Sequence, residues 1–348
     1  MIYYYINIYY INIYYMGLSI SIISVIIVCI LSISLYIYFK QNKIIEPMVF
    51  TSNNMAKNIY NKYNIKIDEN KELLYRNGTS ISYNNNLNSK ESAGRANNKI
   101  ETSKILGNSG LPVCTYVEWN NNIDNLTNLQ IINNKLSFPL VIKFNWGAQG
   151  KDVFTDVTDN AHIMKKITKL QNEGKKSIIL EEQTYGNKYR IMVMNDRIVY
   201  TSKDIPPRII GDGHSTIREL INIYPKKYEV KPITIINEEL MHQQGYELDN
   251  ILELKKEIKV SNVVGISNGG KQKYIEDYEI HPFNINMFLQ INKILGLNFS
   301  GIDYMTNDLM TPYFEDGKII EVNPYPGFSV TEQKTPSITD KWVSALFG

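Results

Sequence analysis

Apolar positions fall into three textures along the chain. The first fifteen residues are an uncharged Tyr/Ile/Asn tract, and Gly17 to Phe39 is an almost unbroken apolar run relieved only by small hydroxyl residues. A run of that length spans a bilayer as a helix. Lys40 and Lys43 follow it and no charge precedes it. The positive-inside rule therefore predicts a single-pass transmembrane helix over residues 16–40, anchoring the protein in the membrane through residues 17–39 with its catalytic part on the cytosolic side. A cleaved signal peptide fits less well, because no basic segment leads into the run. Were Met16 the start, Met16 to Ser21 would also fit the short N-myristoylation pattern, although a spanning helix already accounts for the stretch.

Residues 41–96 are polar, Asn-rich and poor in periodic apolar positions, which predicts a linker or a reduced leading region. From Ile100 onward the pattern becomes regular. It predicts helices over Ile100 to Asn108, Ala161 to Glu173, Thr216 to Ile223 and Phe283 to Leu295, the last closed by Gly296. Ser215 or Thr216 with Glu219 reads as the cap of the third. Strands are predicted over Phe138 to Phe144 and Ser177 to Leu180, with a hairpin of Arg190 to Met194 and Arg197 to Ser202 about Asn195-Asp196. Helices mixed with antiparallel hairpins, and no regular strand–helix–strand repeat, indicate an α+β fold.

Composition narrows the function classes. The chain has 348 residues, a net charge of +2 and two cysteines, Cys29 and Cys114. The charge gives no electrostatic case for nucleic acid. The cysteines sit in unrelated settings and predict no disulfide. The abundance of Tyr, Asn, Ile and Lys reads as the coding bias of an AT-rich genome.

Five segments carry candidate chemistry. Ile319-Ile320-Glu321-Val322-Asn323 is an apolar run ending in Glu-x-Asn, and alternation places both polar side chains on one strand face. Asp303 closes a neighbouring apolar run. Two carboxylates and an amide oxygen form a hard donor set suited to Mg²⁺. Val141 to Val153 reads as strand, glycine-bearing loop and strand. Alone it is a hairpin, although Gly147 and Gly150 would let backbone N–H groups approach phosphate, and Lys143 could reach one. It matches neither the Walker A nor the Rossmann pattern. Ile178 to Gly186 runs an apolar strand into Glu181-Glu182-Gln183-Thr184, either a strand leaving the core or a backbone edge for a base. Gly211-Asp212-Gly213-His214 feeds a helix N-terminus, a ready anion site, and Ser267-Asn268-Gly269-Gly270 is a second small-residue loop. His214 and His281 read as structural.

These segments, in this order and over about residues 95–333, resemble the ATP-grasp ligases, and among them the cyanophycin synthetase module and the C-terminal part of bifunctional glutathione synthetases. The resemblance implies an ATP-grasp domain over 97–333, split into subdomains 97–180 and 181–333, with a tail over 334–348. It implies that Lys99 and Lys143 bind ATP phosphates, that Gly147, Gln149, Gly150 and Lys151 belong to a lid over them, and that Glu181, Glu182, Gln183 and Thr184 hold adenine. Asp303, Glu321 and Asn323 would ligate two Mg²⁺ ions, for which Mn²⁺ could substitute. Arg190, Asn268 and Gly269 would face an acyl phosphate, and Asp212, Gly213 and His214 would shape the acceptor side.

The implied activity is an ATP- and Mg-dependent carboxylate–amine ligase acting on amino-acid or peptide substrates, with self-association left open. The sequence departs from the family's pattern in placing Lys188 where an acid bonds ribose, Lys203-Asp204 where a basic pair precedes a proline, and Lys104 one position away from a second lysine. The changes at Lys188 and Lys203-Asp204 keep open a decayed ATP-binding module tethered to the membrane, and the membrane anchor keeps open a ligase that adds amino acids to a protein tail.

Overall fold

Two antiparallel sheets dominate the fold, and each buries one face under helices. The computed structural model describes residues 61–68, 73–82, 88–147, 150–228, 230–265, 268–326, 340, 343, 344 and 347. The leader and the expected membrane helix over 16–40 lie outside them. Among the described residues, no helix is long and apolar enough to cross a membrane.

A small meander comes first, with strands β1 (Lys66–Asp68), β2 (Leu73–Arg76) and β3 (Thr79–Ser82). Its second turn is Asn77-Gly78, both at positive φ, as a two-residue hairpin requires. Helices α1 (Lys90–Asn97) and α2 (Lys99–Asn108) follow. The polar texture before residue 97 predicts loose chain, yet the structure puts a sheet and a helix there. The reason is tertiary. Asn88 is buried and makes four hydrogen bonds, donating to the carbonyls of Phe299 and Pro324 and accepting from the N–H groups of Asn298 and Phe299. A polar side chain saturated in this way is a core residue that hydropathy cannot reveal.

The first main sheet has the order β4-β7-β5-β6, from β4 (Tyr116–Glu118), β7 (Ile178–Glu182), β5 (Leu140–Phe144) and β6 (Val153–Val157). Helices α3 (Asn125–Lys135) and α4 (Asn160–Asn172) cover it. Ile132, Leu140, Ile142, Ile163, Ile167, Leu170, Ile178 and Leu180 form the dry layer between. The Ile163, Ile167 and Leu170 spacing is the helical stripe that the sequence shows.

The second sheet has the order β12-β9-β8-β13-β14, from β12 (Lys271–Tyr274), β9 (Arg197–Ile205), β8 (Asn187–Met194), β13 (Phe299–Thr306) and β14 (Lys318–Asn323). One face packs on α7 (Pro282–Leu295) through Tyr189, Ile191, Val193, Ile302 and Tyr304 against Met287, Phe288, Ile291 and Leu295. The predicted β8–β9 hairpin is present, with Asn195 and Asp196 both at positive φ. Between β9 and β12 lie β10 (Arg208–Ile210), α5 (Ile217–Tyr228), α6 (Glu238–Gln243) and β11 (Glu257–Lys259), packed about Ile209, Leu220, Tyr224, Leu252 and Ile258. Thr216 and Glu219 cap α5 reciprocally, each backbone N–H donating to the other's side chain.

One irregularity in the second sheet matters for everything that follows. Asp303 pairs with Glu321, but the next pair is Tyr304 with Ile319, so Ile320 is an extra residue bulged out of β14. The bulge resets the alternation. Ile319 and Val322 both enter the apolar core although they are three apart, while Lys318, Glu321 and Asn323 share the opposite face. A strict period of two would force Ile319 and Glu321 onto the same side.

Candidate active site

The face of the second sheet turned away from α7 is charged. Its residues come from adjacent strands in register: Lys188 and Arg190 on β8, Asp204 on β9, Asp303 on β13, and Glu321 and Asn323 on β14. Asp303 is 3% exposed and sits mid-strand between Arg190 and Glu321. Arg190 Nε lies 2.7 Å from Asp303 Oδ1 and Lys188 Nζ lies 2.7 Å from Oδ2. The Arg190 contact is one of charge without a directed hydrogen bond, since Oδ1 is buried and accepts none. Burial by itself would push the Asp303 carboxyl up; the Arg190 guanidinium and the Lys188 ammonium reverse that and hold it below the usual carboxylate range. Burial pushes Asp204 up, and Lys188 offsets this only in part.

Gly301 makes the clamp possible. A Cβ there would fall 2.6 Å from Arg190 Nη1 and 2.8 Å from Pro326 Cβ, so only glycine lets the guanidinium lie across the strand.

Lys99 closes the site from helix α2, which packs against α7 and β14. It is the first residue of α2, set in place by the N-cap Asn98, whose Oδ1 accepts from Glu101 N. Asn145, buried at the end of β5, donates to Asn98 Oδ1 and accepts from Ile100 N. The Lys99 ammonium donates to Gly147 O at 2.6 Å and pairs with Glu321 Oε1 at 3.1 Å. Asn323 Oδ1 accepts from Tyr325 N at 2.8 Å, which orients the amide and leaves its second lone pair. The donor set predicted for a metal is thus assembled as two facing carboxylates and an amide. A buried Asp303 oxygen that accepts no hydrogen bond and a partly exposed Glu321 both suit a hard cation. Among the described residues, no three His, Cys, Asp or Glu side chains form a metal cluster.

Lys143 pairs with Glu181 across β5 and β7, both side chains under a tenth exposed. Burial would lower the Lys143 ammonium, but the Glu181 carboxylate raises it above its ordinary 10.5. Glu182 accepts from Ser137 N, and Gln183 is bound both ways to Asp156. Thr184 Oγ1 lies 3.4 Å from the buried Cys114 thiol. These hinge side chains are therefore occupied, and what the segment offers a ligand is backbone. A cavity of about 550 Å³ opens beside it, lined by Cys114, Thr184, Tyr185, Tyr313 and Lys318 among others.

Gly147 and Gly150 are described and Lys151 is exposed, while Gln149, expected in the same lid, lies outside the described residues. Gly150 touches the segment after β11 so closely that a Cβ would stand 2.4 Å from Val263 Cγ1.

Two predicted site elements take structural work instead. Asn268 is 1% exposed; its Oδ1 accepts from the N–H groups of Thr234 and Ile235, and its Nδ2 donates to the carbonyls of Ile235 and Val263. Nothing of that amide is left for an acyl phosphate, and Gly269 beside it completes the same turn at positive φ. Asp212 accepts from the N–H groups of His214 and Ser215 and from Ser215 Oγ, and these bonds hold its carboxyl far below the usual range. The anion expected in the Gly211 to Gly213 turn is therefore the protein's own. Gly213 follows at positive φ, and His214 is exposed beside Asp212.

Sequence reasoning singled out Lys188 and Asp204 only as departures. The signal for the two was present: both break a charge pattern, and they break it in opposite senses.

No family model matches the chain. Over 244 residues it is 31% identical to a cyanophycin synthetase of Synechocystis sp., a match covering 66% of this chain and 27% of that protein. Over 224 residues it is 28% identical to the bifunctional glutathione biosynthesis protein of Streptococcus mutans, covering 61% of this chain and 29% of that one. The chain thus spans well under half the length of the curated relatives it matches. Among solved structures, a D-alanine–D-alanine ligase from Bacillus anthracis aligns at 16% identity with a TM-score of 0.49, over 74% of this chain and 68% of that one. The resemblance to the ATP-grasp ligases expected from the motifs holds, and it falls on the two kinds of relative named for it.

Proposed function

We propose that this protein is an ATP-grasp ligase that joins a carboxylate to an amine with release of ADP. The observation that carries the reading is the cross-strand pair Asp303–Glu321, held under three cations from two elements, α2 and β8, with one buried oxygen that accepts no hydrogen bond. The relatives supply the reaction class, and their names point to amino acids or peptides as substrates.

In this reading a substrate carboxylate oxygen attacks the γ-phosphorus of ATP. The bond from that phosphorus to the β-bridging oxygen breaks, giving an acyl phosphate and ADP. An amine then attacks the acyl carbon, the carbon–oxygen bond to phosphate breaks, and an amide and inorganic phosphate leave. The chain's residues position reactants and balance charge. Asp303, Glu321 and Asn323 would hold Mg²⁺, which neutralises phosphate charge when bound. Lys99 and Lys143 meet phosphate oxygens, the backbone from Glu181 to Thr184 takes the base beside the 550 Å³ cavity, and Arg190 faces the acyl phosphate.

The decayed-module reading rested on Lys188 and Lys203-Asp204. Lys188 and Asp204 are cross-strand neighbours at 3.6 Å, so each departure supplies the other's counter-charge. We keep the cytosolic, membrane-anchored placement as part of the proposal, on the apolar run over 17–39. The test is ADP release by the full chain with Mg-ATP and pools of amino acids and dipeptides. Release dependent on one pool supports the ligase; ATP binding without pool-dependent release overturns it.

A further inference from the structure

Lys188 is the only side chain in the charged face shown touching two carboxylates on different strands. Its ammonium stands 2.7 Å from Asp303 Oδ2 and 3.6 Å from Asp204 Oδ2, and it also donates to Val264 O at 3.3 Å. Asp204 is 6% exposed and its other oxygen accepts from Gln272 Nε2 at 2.9 Å, so this carboxylate is fixed in place with one oxygen turned to the ammonium. The site as it stands is charge-balanced: Lys99, Lys188 and Arg190 against Asp204, Asp303 and Glu321.

We propose that Lys188 is a resident counter-cation that occupies the metal position at Asp303 and transfers to Asp204 when a divalent cation binds. This rests on the metal reading above. The physical argument is exclusion. A divalent cation at 2.0–2.1 Å from Asp303 Oδ2 cannot share that oxygen with an ammonium at 2.7 Å. Like charges so close in a site this buried repel strongly. The ammonium must leave, and Asp204 Oδ2 is the acceptor already within reach of the same stem. Lys188 is thus a positioning residue: it keeps Asp303 paired while the site lacks metal and sets how tightly metal is held.

The two partners of Lys188 should act on metal affinity in opposite directions. Free Mn²⁺ would be titrated into the full chain without nucleotide and the unbound ion counted by electron paramagnetic resonance. Lys188→Met, which leaves Asp303 with Arg190 and no competitor, should bind Mn²⁺ at least tenfold tighter than the unaltered chain. Asp204→Asn keeps the shape and the Gln272 bond but removes the second acceptor, and should bind severalfold more weakly. A Lys188→Met chain that binds Mn²⁺ no tighter overturns the proposal, as does an Asp204→Asn chain that binds as well as the unaltered one. A purely structural role would weaken both variants or neither. Glu321→Gln separates the parent reading: if it leaves Mn²⁺ binding by Lys188→Met unchanged, the metal assignment itself fails.

Discussion

The charged face of the second sheet and the two small-residue loops near α5 look alike in sequence, each offering polar groups beside glycine. The structure treats them differently. Asp303, Glu321, Lys99 and Arg190 meet across four separate elements, and their contacts are ion pairs that a ligand's charge can replace. Asp212 spends its bonds on His214 and Ser215 beside it, and Asn268 spends its amide on Thr234, Ile235 and Val263. Polar groups saturated by neutral hydrogen bonds stabilise the chain they tie together, whereas charges paired between elements are the ones a ligand can re-partner.

The sharpest way to break this contrast is Glu321→Ala. ADP release should fall by about a thousandfold or more, on the order of 4 kcal/mol of transition-state stabilisation, with circular dichroism unchanged; retained turnover would sink the assignment. Lys143→Met tests the neighbouring buried pair. It strands Glu181 and should cost about 3–5 kcal/mol in urea denaturation. The Lys143 ammonium is raised on folding, so its charge-linked contribution is complete below its ordinary 10.5 and disappears only as pH rises through the raised value. The difference between the two chains should therefore stay constant from neutral pH to about 10 and shrink only above that; a difference that vanishes near neutrality would refute the pairing.

Gly301→Ala should displace the Arg190 guanidinium. Turnover would drop by about a hundredfold, the order expected for a misplacement of an ångström, while the melting temperature falls far less than such a core strand position would suggest. On the other side of the comparison, Asn268→Ala leaves two backbone N–H groups unpaired and should cost about 2 kcal/mol or more, yet kcat per folded molecule should hold. The smallest effect belongs to Asp212→Ala, a slight loss of stability with KM for every substrate unaltered. A large KM change there would return the Gly211 to Gly213 turn to the acceptor site.

Much of the fold was legible because local physics carried it. The α4 stripe, the Asn195-Asp196 hairpin, the capping pair at Thr216 and Glu219 and the Gly296 stop are each set by neighbours in sequence. Between a linker and a reduced leading region before residue 97 the sequence could not choose, because Asn88 is polar and its four hydrogen-bond partners lie more than two hundred residues away. Asn268 was misread for the related reason that an amide's partners cannot be read from its own loop.

The sequence by itself determined that Glu321 and Asn323 share a strand face, since Glu-x-Asn on a strand needs only alternation. It placed Asp303 only at the close of a neighbouring apolar run; the pairing with Glu321 came from the structure. Only the tertiary structure decided that Ile320 would bulge, which lets Ile319 enter the core while Glu321 stays with Asp303. Only it decided that Lys188 and Asp204 would stand opposite each other, turning two departures into one ion pair. The physical reason is range. Alternation, capping and turn preference act over a few residues, whereas charge balance and core saturation are settled between strands that pairing alone brings together.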